Sequence, residues 1–178
     1  PAPSRIVFLP KTTGTGFWDV LGAGVRGTAA KRGLKVITHA PEAESDYAGQ
    51  ALMLEDAIRL RPDGIILAPS HGSVLASGIR HARAEGIPVV LVESSALVSP
   101  EEYVGFIGND ERALGEMAAA RIGAILGKHG EIGVLGVSPT IETTTQRERA
   151  FARAIAERFT RIRIVDVRYG LGEHIRSG

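Results

Sequence analysis

The chain has 178 residues, enough for one large domain or for one domain and part of a second. Its 21 basic and 20 acidic side chains leave a net charge of +1, without the basic surface that nucleic-acid binding requires. The sequence contains no cysteine, which excludes disulfides, thiolate metal sites and a cysteine nucleophile.

Strand-like apolar runs alternate with helical patterns through the first half of the chain. The predicted strands are Ile6–Leu9, Leu34–Thr38, Gly64–Ala68 and Pro88–Val92, and the predicted helices are Phe17–Lys31, Asp46–Leu60 and Gly72–Ala84. Asp46 is placed to cap the second of these helices. The strands are apolar on both sides, which is typical of parallel strands between two helix layers. The pattern therefore predicts an α/β fold with a doubly wound parallel sheet.

The pattern changes after the fourth strand, where a helix-free stretch leads to a fifth strand at Val104–Ile107. The later elements are predicted to be helices at Glu111–Leu126 and Thr144–Phe159, strands at Ile132–Leu135 and Ile162–Val167, and the start of a third helix at Gly172–Gly178. A strand that follows another strand without a helix between them indicates entry into a second lobe, near Gly108. We therefore predict an N-terminal Rossmann-like lobe at 1–108 and a partial C-terminal lobe at 109–178, since a lobe normally takes roughly 100–150 residues.

Polar and aromatic residues follow the predicted strands. In open parallel sheets, ligands bind beyond the carboxyl ends of the strands, where the strand order reverses. The candidate ligand-binding residues at these positions are Lys11, Thr15, Phe17, Trp18, Ser70, Glu93, Ser94, Asn109 and Arg147. Carboxylate, amide and guanidinium groups hydrogen-bond to vicinal hydroxyls, and aromatic rings stack on the C–H face of a sugar. This set of side chains fits a neutral polyol better than a phosphate.

Each candidate also has a purely structural interpretation. One ring of the Phe17–Trp18 pair could anchor the first helix in the core, and Glu93 could cap a turn or face solvent. Asn109 suits the N-cap position of a helix. Spacing alone places Arg147 on a solvated, arginine-rich helical face.

One glycine motif matches the dinucleotide-binding pattern G-x-G-x-x-G, at residues 22–27. That motif requires a strand directly before the first glycine, and here the glycines fall inside the first predicted helix. We expect these small residues to allow close packing on the sheet instead. The five histidines are scattered without metal-ligand spacing, so we predict neither a cofactor nor a metal.

Several short segments, in their order and spacing, carry a resemblance to a known family. They are Ile6–Lys11, the Phe17–Trp18 pair, Pro62–Leu67, Gly86–Val90, Phe106–Asp110 and Gln146–Phe151. Between about Arg5 and Tyr169 the chain resembles the periplasmic-binding-protein type I superfamily, in particular the ribose- and galactose-type sugar-binding proteins of ABC importers. The resemblance implies two Rossmann-like lobes, joined by a three-strand hinge, that close on the ligand.

The resemblance also implies roles for individual residues. Carried over by position, the sugar contacts from the first lobe are Lys11, Thr15, Phe17 and Trp18. Gly108 and Asn109 lie at the hinge crossing, and Arg147 matches a frequent sugar contact. The chain departs from its relatives at Glu93–Ser94, where they commonly have Asp-Arg or an Asp with another partner, and at Ala68, where they often carry a polar group. These departures leave the identity of the sugar open.

The resemblance favours a periplasmic or extracellular receptor that delivers a monosaccharide or similar polyol to the permease of an ABC importer. Such a receptor meets the membrane only through the transporter and performs no catalysis. No signal peptide precedes the first predicted strand in this sequence. The alternatives are the effector-binding domain of a regulator related to the lactose repressor and the sugar-sensing domain of a signalling receptor. An enzyme would need a base or nucleophile beside a cofactor motif, and no residue spacing supports one.

Overall fold

The computed structural model of the chain describes residues 4–137, 139 and 141–170. The chain divides into a first unit, Pro1–Gly108, and a second unit, Asn109–Gly178. The helix expected at Gly172–Gly178 lies outside the described residues, as do Ser138 and Thr140 in the loop after the sixth strand.

The described residues of the first unit form a five-stranded parallel sheet with its connecting helices. In chain order the elements are β1 (Arg5–Leu9), α1 (Gly16–Lys31), β2 (Lys35–Thr38), α2 (Tyr47–Arg59), β3 (Gly64–Leu67), α3 (Ala76–Ala84), β4 (Val89–Val92), a 3-10 turn (Pro100–Glu102) and β5 (Gly105–Ile107). The strand order is β2-β1-β3-β4-β5, so the order reverses between β1 and β3. The predicted doubly wound α/β fold is confirmed. Open parallel sheets bind ligands beyond the carboxyl ends of the strands at such a reversal, and we call this edge, at the ends of β1 and β3, the ligand edge.

The two faces of this sheet pack against different helices. Alternate residues such as Val7, Leu67 and Leu91 face α2 and α3, where they are fully buried. Their neighbours, such as Phe8 and Val92, face α1 on the other side. Burial of each large apolar side chain contributes roughly 1.5–3 kcal/mol, which makes the α2–α3 side the main core. The prediction of strands buried on both faces is correct for β1, β3 and β4. It is wrong for the two edge strands, since Lys35 and Thr38 of β2 and Phe106 and Ile107 of β5 are exposed.

Two helix starts test the sequence predictions. The Asp46 carboxylate accepts a hydrogen bond from the Gly49 amide at 2.9 Å, so it caps α2 as predicted. The helix α3 begins at Ala76 rather than at Gly72, because residues 71–75 form turns that lead into it. Within these turns the Leu75 amide donates a hydrogen bond to the His71 carbonyl at 3.2 Å.

The described part of the second unit has two helices and two parallel strands: α4 (Glu111–Ile125), β6 (His129–Gly136), α5 (Glu142–Arg158) and β7 (Arg161–Tyr169). Both strands are longer than predicted. Backbone pairing carries them through polar ends, where the side chains of His129 and Arg161 lie opposite each other and face solvent. An apolar core between α4, α5 and the strands includes Ala119, Ile155 and Ile162.

The glycine motif lies inside α1, as predicted, and not at a strand end. A Cβ at Gly22 would lie 3.6 Å from the Phe8 ring, so this glycine does pack against the sheet. Apart from the local backbone of α1 itself, a Cβ at Gly24 or Gly27 would have no atom of the described residues within 4 Å. The packing explanation is therefore correct for Gly22 and wrong for the other two glycines.

Among the described residues, every helix is too short or too polar to cross a lipid bilayer.

Candidate functional site

The loops that follow β1, β3 and β4 meet at the edge of the sheet where the strand order reverses. Lys11 lies two residues after β1, Ser70 three residues after β3, and Glu93 directly after β4. We call the polar side chains at this edge, Lys11, Ser70, Glu93 and Ser94, the rim. The parallel strands bring these sequence-distant residues together because all their carboxyl ends point the same way.

Lys11, Glu93 and Ser94 form a hydrogen-bonded cluster across the rim. The Lys11 ammonium lies 2.6 Å from a Glu93 carboxylate oxygen and donates to the Ser94 hydroxyl at 2.5 Å. The Ser94 hydroxyl in turn donates to the same Glu93 carboxylate. The Lys11 side chain is only 2% exposed, whereas that of Glu93 is 20% exposed. Because a buried cation without a partner is strongly destabilising, the Glu93 carboxylate compensates a charge that lies beneath it.

The backbone of Glu93 has a left-handed conformation, with φ at 65°. This conformation is uncommon outside glycine, and backbone strain of this kind costs about 1–3 kcal/mol. The Glu93 amide donates to the Ile107 carbonyl at 2.8 Å, which ties the end of β4 to β5.

Gln50 of α2 holds the ends of β1 and β3 together from below. Its side-chain amide donates to the carbonyls of Pro10 at 3.0 Å and Ala68 at 2.8 Å. Its oxygen accepts from the Ser70 amide at 2.8 Å and from the Ser70 hydroxyl at 2.7 Å. Gln50 is completely buried, so the Ser70 hydroxyl is committed to the scaffold.

Gln50 was not identified from the sequence, although its spacing carried a signal. It lies on the same helical face as Leu54, Ala57 and Ile58, at the intervals of a core-facing stripe. A lone polar residue on such a stripe must find buried partners, which here are the strand ends.

The two adjacent aromatic residues have different environments. Trp18 is 4% exposed and packs against Phe8, Ala68 and Val92, whereas Phe17 is 56% exposed. Their ring centroids lie 4.9 Å apart with an interplanar angle of 89°. The Lys11 ammonium lies 6.0 Å from the Trp18 ring centroid, at the outer limit of a cation–π contact. Trp18 thus anchors α1, and Phe17 offers the ring face that a ligand can reach.

The loop before α1 contributes two threonines. Thr15 occupies the N-cap position of α1 and is half-buried, but within the described residues its hydroxyl makes no capping hydrogen bond. Thr12 is buried and donates to the Glu42 carbonyl at 3.0 Å. The Thr15 hydroxyl, and not that of Thr12, is therefore presented to solvent.

Asn109 and Arg147 belong to the second unit, whereas the seven other candidates belong to the first. Asn109 is exposed, and the cap of α4 is its neighbour Asp110, whose carboxylate accepts from the Ala113 amide at 2.9 Å. The N-cap role suggested for Asn109 is therefore wrong. Arg147 makes a salt bridge of 2.6 Å with the buried carboxylate of Glu111, which contradicts a purely solvated role.

No group of three or more histidine, aspartate or glutamate side chains within the described ranges is arranged to hold a metal ion. The donor groups of the rim are those of a site for polar organic molecules.

Comparison with known proteins identifies the family of this chain. A family model described as a periplasmic binding protein domain matches residues 6–174. The ribose import binding protein of Bacillus subtilis (strain 168) is 33% identical over 135 residues, which are 76% of this chain and 43% of that protein. The chain thus spans less than half the length of this curated relative.

Solved structures give the same result. A carbohydrate transporter solute-binding protein from Agrobacterium radiobacter, in complex with D-arabinose, is 26% identical with a TM-score of 0.89 over 96% of this chain and 59% of its own. An ABC transporter solute-binding protein from Agrobacterium vitis with bound D-fucose is 28% identical, with a TM-score of 0.86 over 93% of this chain and 58% of its own.

Proposed function

The chain belongs to the periplasmic binding protein domain family, and we propose that the whole protein is the sugar-binding receptor of an ABC importer. It binds a monosaccharide or similar polyol in the periplasm or outside the cell and delivers it unchanged to the permease. The relatives that support this proposal are a ribose import binding protein and transporter solute-binding proteins that hold D-arabinose and D-fucose. We further propose that the first unit is the N-terminal lobe of this receptor and the second unit part of its C-terminal lobe.

One observation carries the proposal: the buried Lys11 ammonium supports a partly exposed Glu93 carboxylate at the ligand edge of the sheet. A carboxylate oxygen accepts hydrogen bonds from two vicinal hydroxyls, an arrangement that a sugar provides. Lys11 then acts through Glu93 and Ser94, because its own side chain is almost completely covered. Phe17 supplies an exposed ring for the C–H face of the sugar, as sugar sites require.

The charges at the rim favour a neutral ligand over an anionic one. Glu44 and Glu93 are both partly accessible carboxylates, whereas the cation beside them, Lys11, is buried and already paired. A carboxylate or phosphate on the ligand would meet like charge without a compensating cation from these residues. A neutral pentose or hexose meets no such repulsion.

The regulator and sensor alternatives share this fold, and the relatives favour the importer receptor over both. An enzyme remains the alternative of a different class. Measurement of the sugar after prolonged incubation separates the two, because a receptor returns the sugar unchanged. Chemical conversion of any bound sugar would overturn the receptor proposal.

The proposed function is tested by calorimetric titration of the full-length protein with D-ribose, D-arabinose, D-fucose and D-galacturonate. We expect at least one neutral sugar to bind and D-galacturonate to bind more weakly than D-fucose, a neutral sugar with the same ring configuration. In Glu93→Gln, loss of hydrogen bonds to a charged acceptor, worth roughly 1.5–3 kcal/mol, should weaken binding by about ten-fold or more.

A matched control is Glu85→Gln. Glu85 also pairs with a cation in the first unit, Arg61, but in an exposed pair before the amino end of β4, whereas Glu93 follows the carboxyl end of that strand. Wild-type affinity is expected for this variant. Equal losses in Glu85→Gln and Glu93→Gln, or no binding of any neutral sugar, would contradict the proposal.

A further inference from the structure

The loop between β2 and α2, residues 39–46, contacts the loop after β1 at one point and the first turn of α1 at another. The Thr12 hydroxyl donates to the Glu42 carbonyl at 3.0 Å. The Trp18 indole N–H donates to a Glu44 carboxylate oxygen at 2.6 Å. Neither Glu42 nor Glu44 was identified from the sequence. Both lie after β2, in a segment separate from the loops that carry the rim residues.

The contact between Trp18 and Glu44 is of a strong kind. The indole has one donor and no acceptor, so a buried tryptophan must place that N–H on a partner. A carboxylate acceptor makes the hydrogen bond shorter and stronger than a neutral one, in agreement with the 2.6 Å distance. Removal of Glu44 would leave a buried donor without this acceptor, a loss larger than that of an exposed contact.

Trp18 lies between this loop and the groups that face the ligand edge. On one side its ring meets the Phe17 ring edge-to-face at 4.9 Å. On another side the Lys11 ammonium lies 6.0 Å from its centroid. The orientation of the indole therefore limits the positions open to the exposed Phe17 ring.

We propose that Glu44 is a positioning residue, which fixes the indole of Trp18 and, through it, the ring of Phe17 for stacking on the sugar. This inference rests on the proposed function. In this role Glu44 acts through the aromatic pair and not by contact with the ligand.

The test uses the full-length protein and the variants Glu44→Ala and Glu44→Gln, with Glu85→Ala as control. The emission of Trp18, identified by comparison with Trp18→Phe, is expected to shift to longer wavelength and to be quenched more by acrylamide in Glu44→Ala. Glu44→Gln keeps an acceptor and should retain most of the wild-type signal. Glu85→Ala should be unchanged, and circular dichroism checks that each variant is folded.

Binding is measured by calorimetry with the sugar that gives the tightest titration among D-ribose, D-arabinose and D-fucose. We expect Glu44→Ala to weaken binding by roughly ten-fold and Glu44→Gln to restore most of it. If Glu44 acts through the Phe17 ring, Glu44→Ala should have little further effect in a Phe17→Ala background. Additive losses in the double variant would overturn the proposal, as would wild-type affinity in Glu44→Ala.

Different results would contradict the proposed function and the positioning role of Glu44. If the wild-type protein binds none of these sugars, the proposed function fails, while the fluorescence arm still decides whether Glu44 fixes the indole. If the sugar binds and the fluorescence of Glu44→Ala equals that of the wild type, the positioning role fails and the proposed function stands.

Discussion

At the scale of single residues, the Lys11–Glu93 pair sets the character of the candidate site. A lysine after a strand is common on protein surfaces, but here its side chain is covered and its ammonium lies against a carboxylate and a hydroxyl. The pair is asymmetric, because Glu93 keeps a fifth of its side-chain surface in contact with solvent. In the proposed function the covered cation of Lys11 supports the accessible carboxylate of Glu93, and the carboxylate contacts the ligand.

This asymmetry predicts the effect of Lys11→Met on stability. Loss of one partner of a fully buried pair costs 3–5 kcal/mol, and the partial exposure of Glu93 reduces this to an expected loss of about 1–3 kcal/mol. Urea unfolding of the variant and of the wild type measures the difference. The double variant Lys11→Met/Glu93→Gln should recover part of the loss, because it removes the unpaired carboxylate.

The control for this prediction is Arg61→Met, which breaks the exposed pair between Arg61 and Glu85, with side chains 78% and 38% exposed. An exposed pair contributes less than about 1 kcal/mol. Similar losses of stability in Lys11→Met and Arg61→Met would show that burial of Lys11 has no energetic consequence.

The sequence predicted the positions of the rim residues but not their partners. The rule that ligands bind at strand ends was sufficient to select Lys11, Glu93 and Ser94. It could not show that Trp18 is anchored by Glu44, since a loop residue has no periodicity from which a contact could be inferred. It also could not separate the buried ring of Trp18 from the exposed ring of Phe17. The exposed side of α1 carries apolar residues too, Phe17 and Val20, so helical periodicity does not distinguish the two rings.

At the scale of elements, glycines decide how closely α4 and α5 approach. A Cβ at Gly115 would lie 2.3 Å from the Arg147 carbonyl oxygen and 2.8 Å from the Phe151 amide nitrogen. These are backbone atoms, which cannot move aside as a flexible side chain can. The absence of a side chain at Gly115 is therefore a condition of the observed packing of the two helices.

We accordingly expect Gly115→Ala to destabilise the protein by about 1–3 kcal/mol through overpacking. Gly27→Ala is the matched control, because it lies inside α1 where a Cβ meets no described atom within 4 Å. The control should stabilise the protein by roughly 0.5–1 kcal/mol through the higher helix propensity of alanine. Thermal unfolding of both variants measures the two changes, and stabilisation by Gly115→Ala would contradict the observed helix packing.

The 3-10 turn Pro100–Glu102 gives a prediction about pH. The hydrogen bond from the Ser99 amide, at 2.6 Å, lowers the pKa of Glu102, with a further contribution from Arg80. A carboxyl with a lowered pKa in the folded state stabilises that state above its ordinary pKa, and the effect disappears as the pH falls through the lowered value.

Amide exchange at Ser99, corrected for the intrinsic pH dependence, should therefore lose protection in acid while the rest of the first unit remains protected. In Glu102→Gln, whose side chain does not titrate, this acid-dependent step should be absent. An identical step in the variant would assign the titration to another group.

Element boundaries show where local patterns are informative. The cap of α2 at Asp46 was predictable because one side chain makes it. The full lengths of β6 and β7 were not, since their polar ends are held by pairing with a distant strand, which leaves no trace in the local hydrophobic pattern. The start of α3 was misplaced for a related reason: within the described residues Leu75 makes no side-chain cap, so no residue marks the boundary.

At the scale of the whole molecule, the regular alternation of apolar strands and helices was enough to predict the α/β class and the parallel sheet. The family resemblance rested instead on short segments such as Phe17–Trp18 and Gln146–Phe151, and the family model matches residues 6–174. The chain nevertheless spans only 43% of its curated relative and 58–59% of the two solved relatives described above. The identity of the proposed sugar ligand depends on the individual side chains at the rim, which composition and periodicity do not predict.

The position of Gln50 has a consequence for how such a receptor can change its ligand during evolution. Gln50 joins the ends of β1 and β3 through three backbone groups, the carbonyls of Pro10 and Ala68 and the amide of Ser70. Backbone carbonyls are present in every residue, and only proline at position 70 would remove the amide. Mutation of the proposed recognition residues therefore leaves the hydrogen bonds between Gln50 and the backbone in place. If the proposed function holds, replacement of Thr15 or Phe17 alters the preferred sugar while these hydrogen bonds are kept, so specificity can diverge without a change of fold.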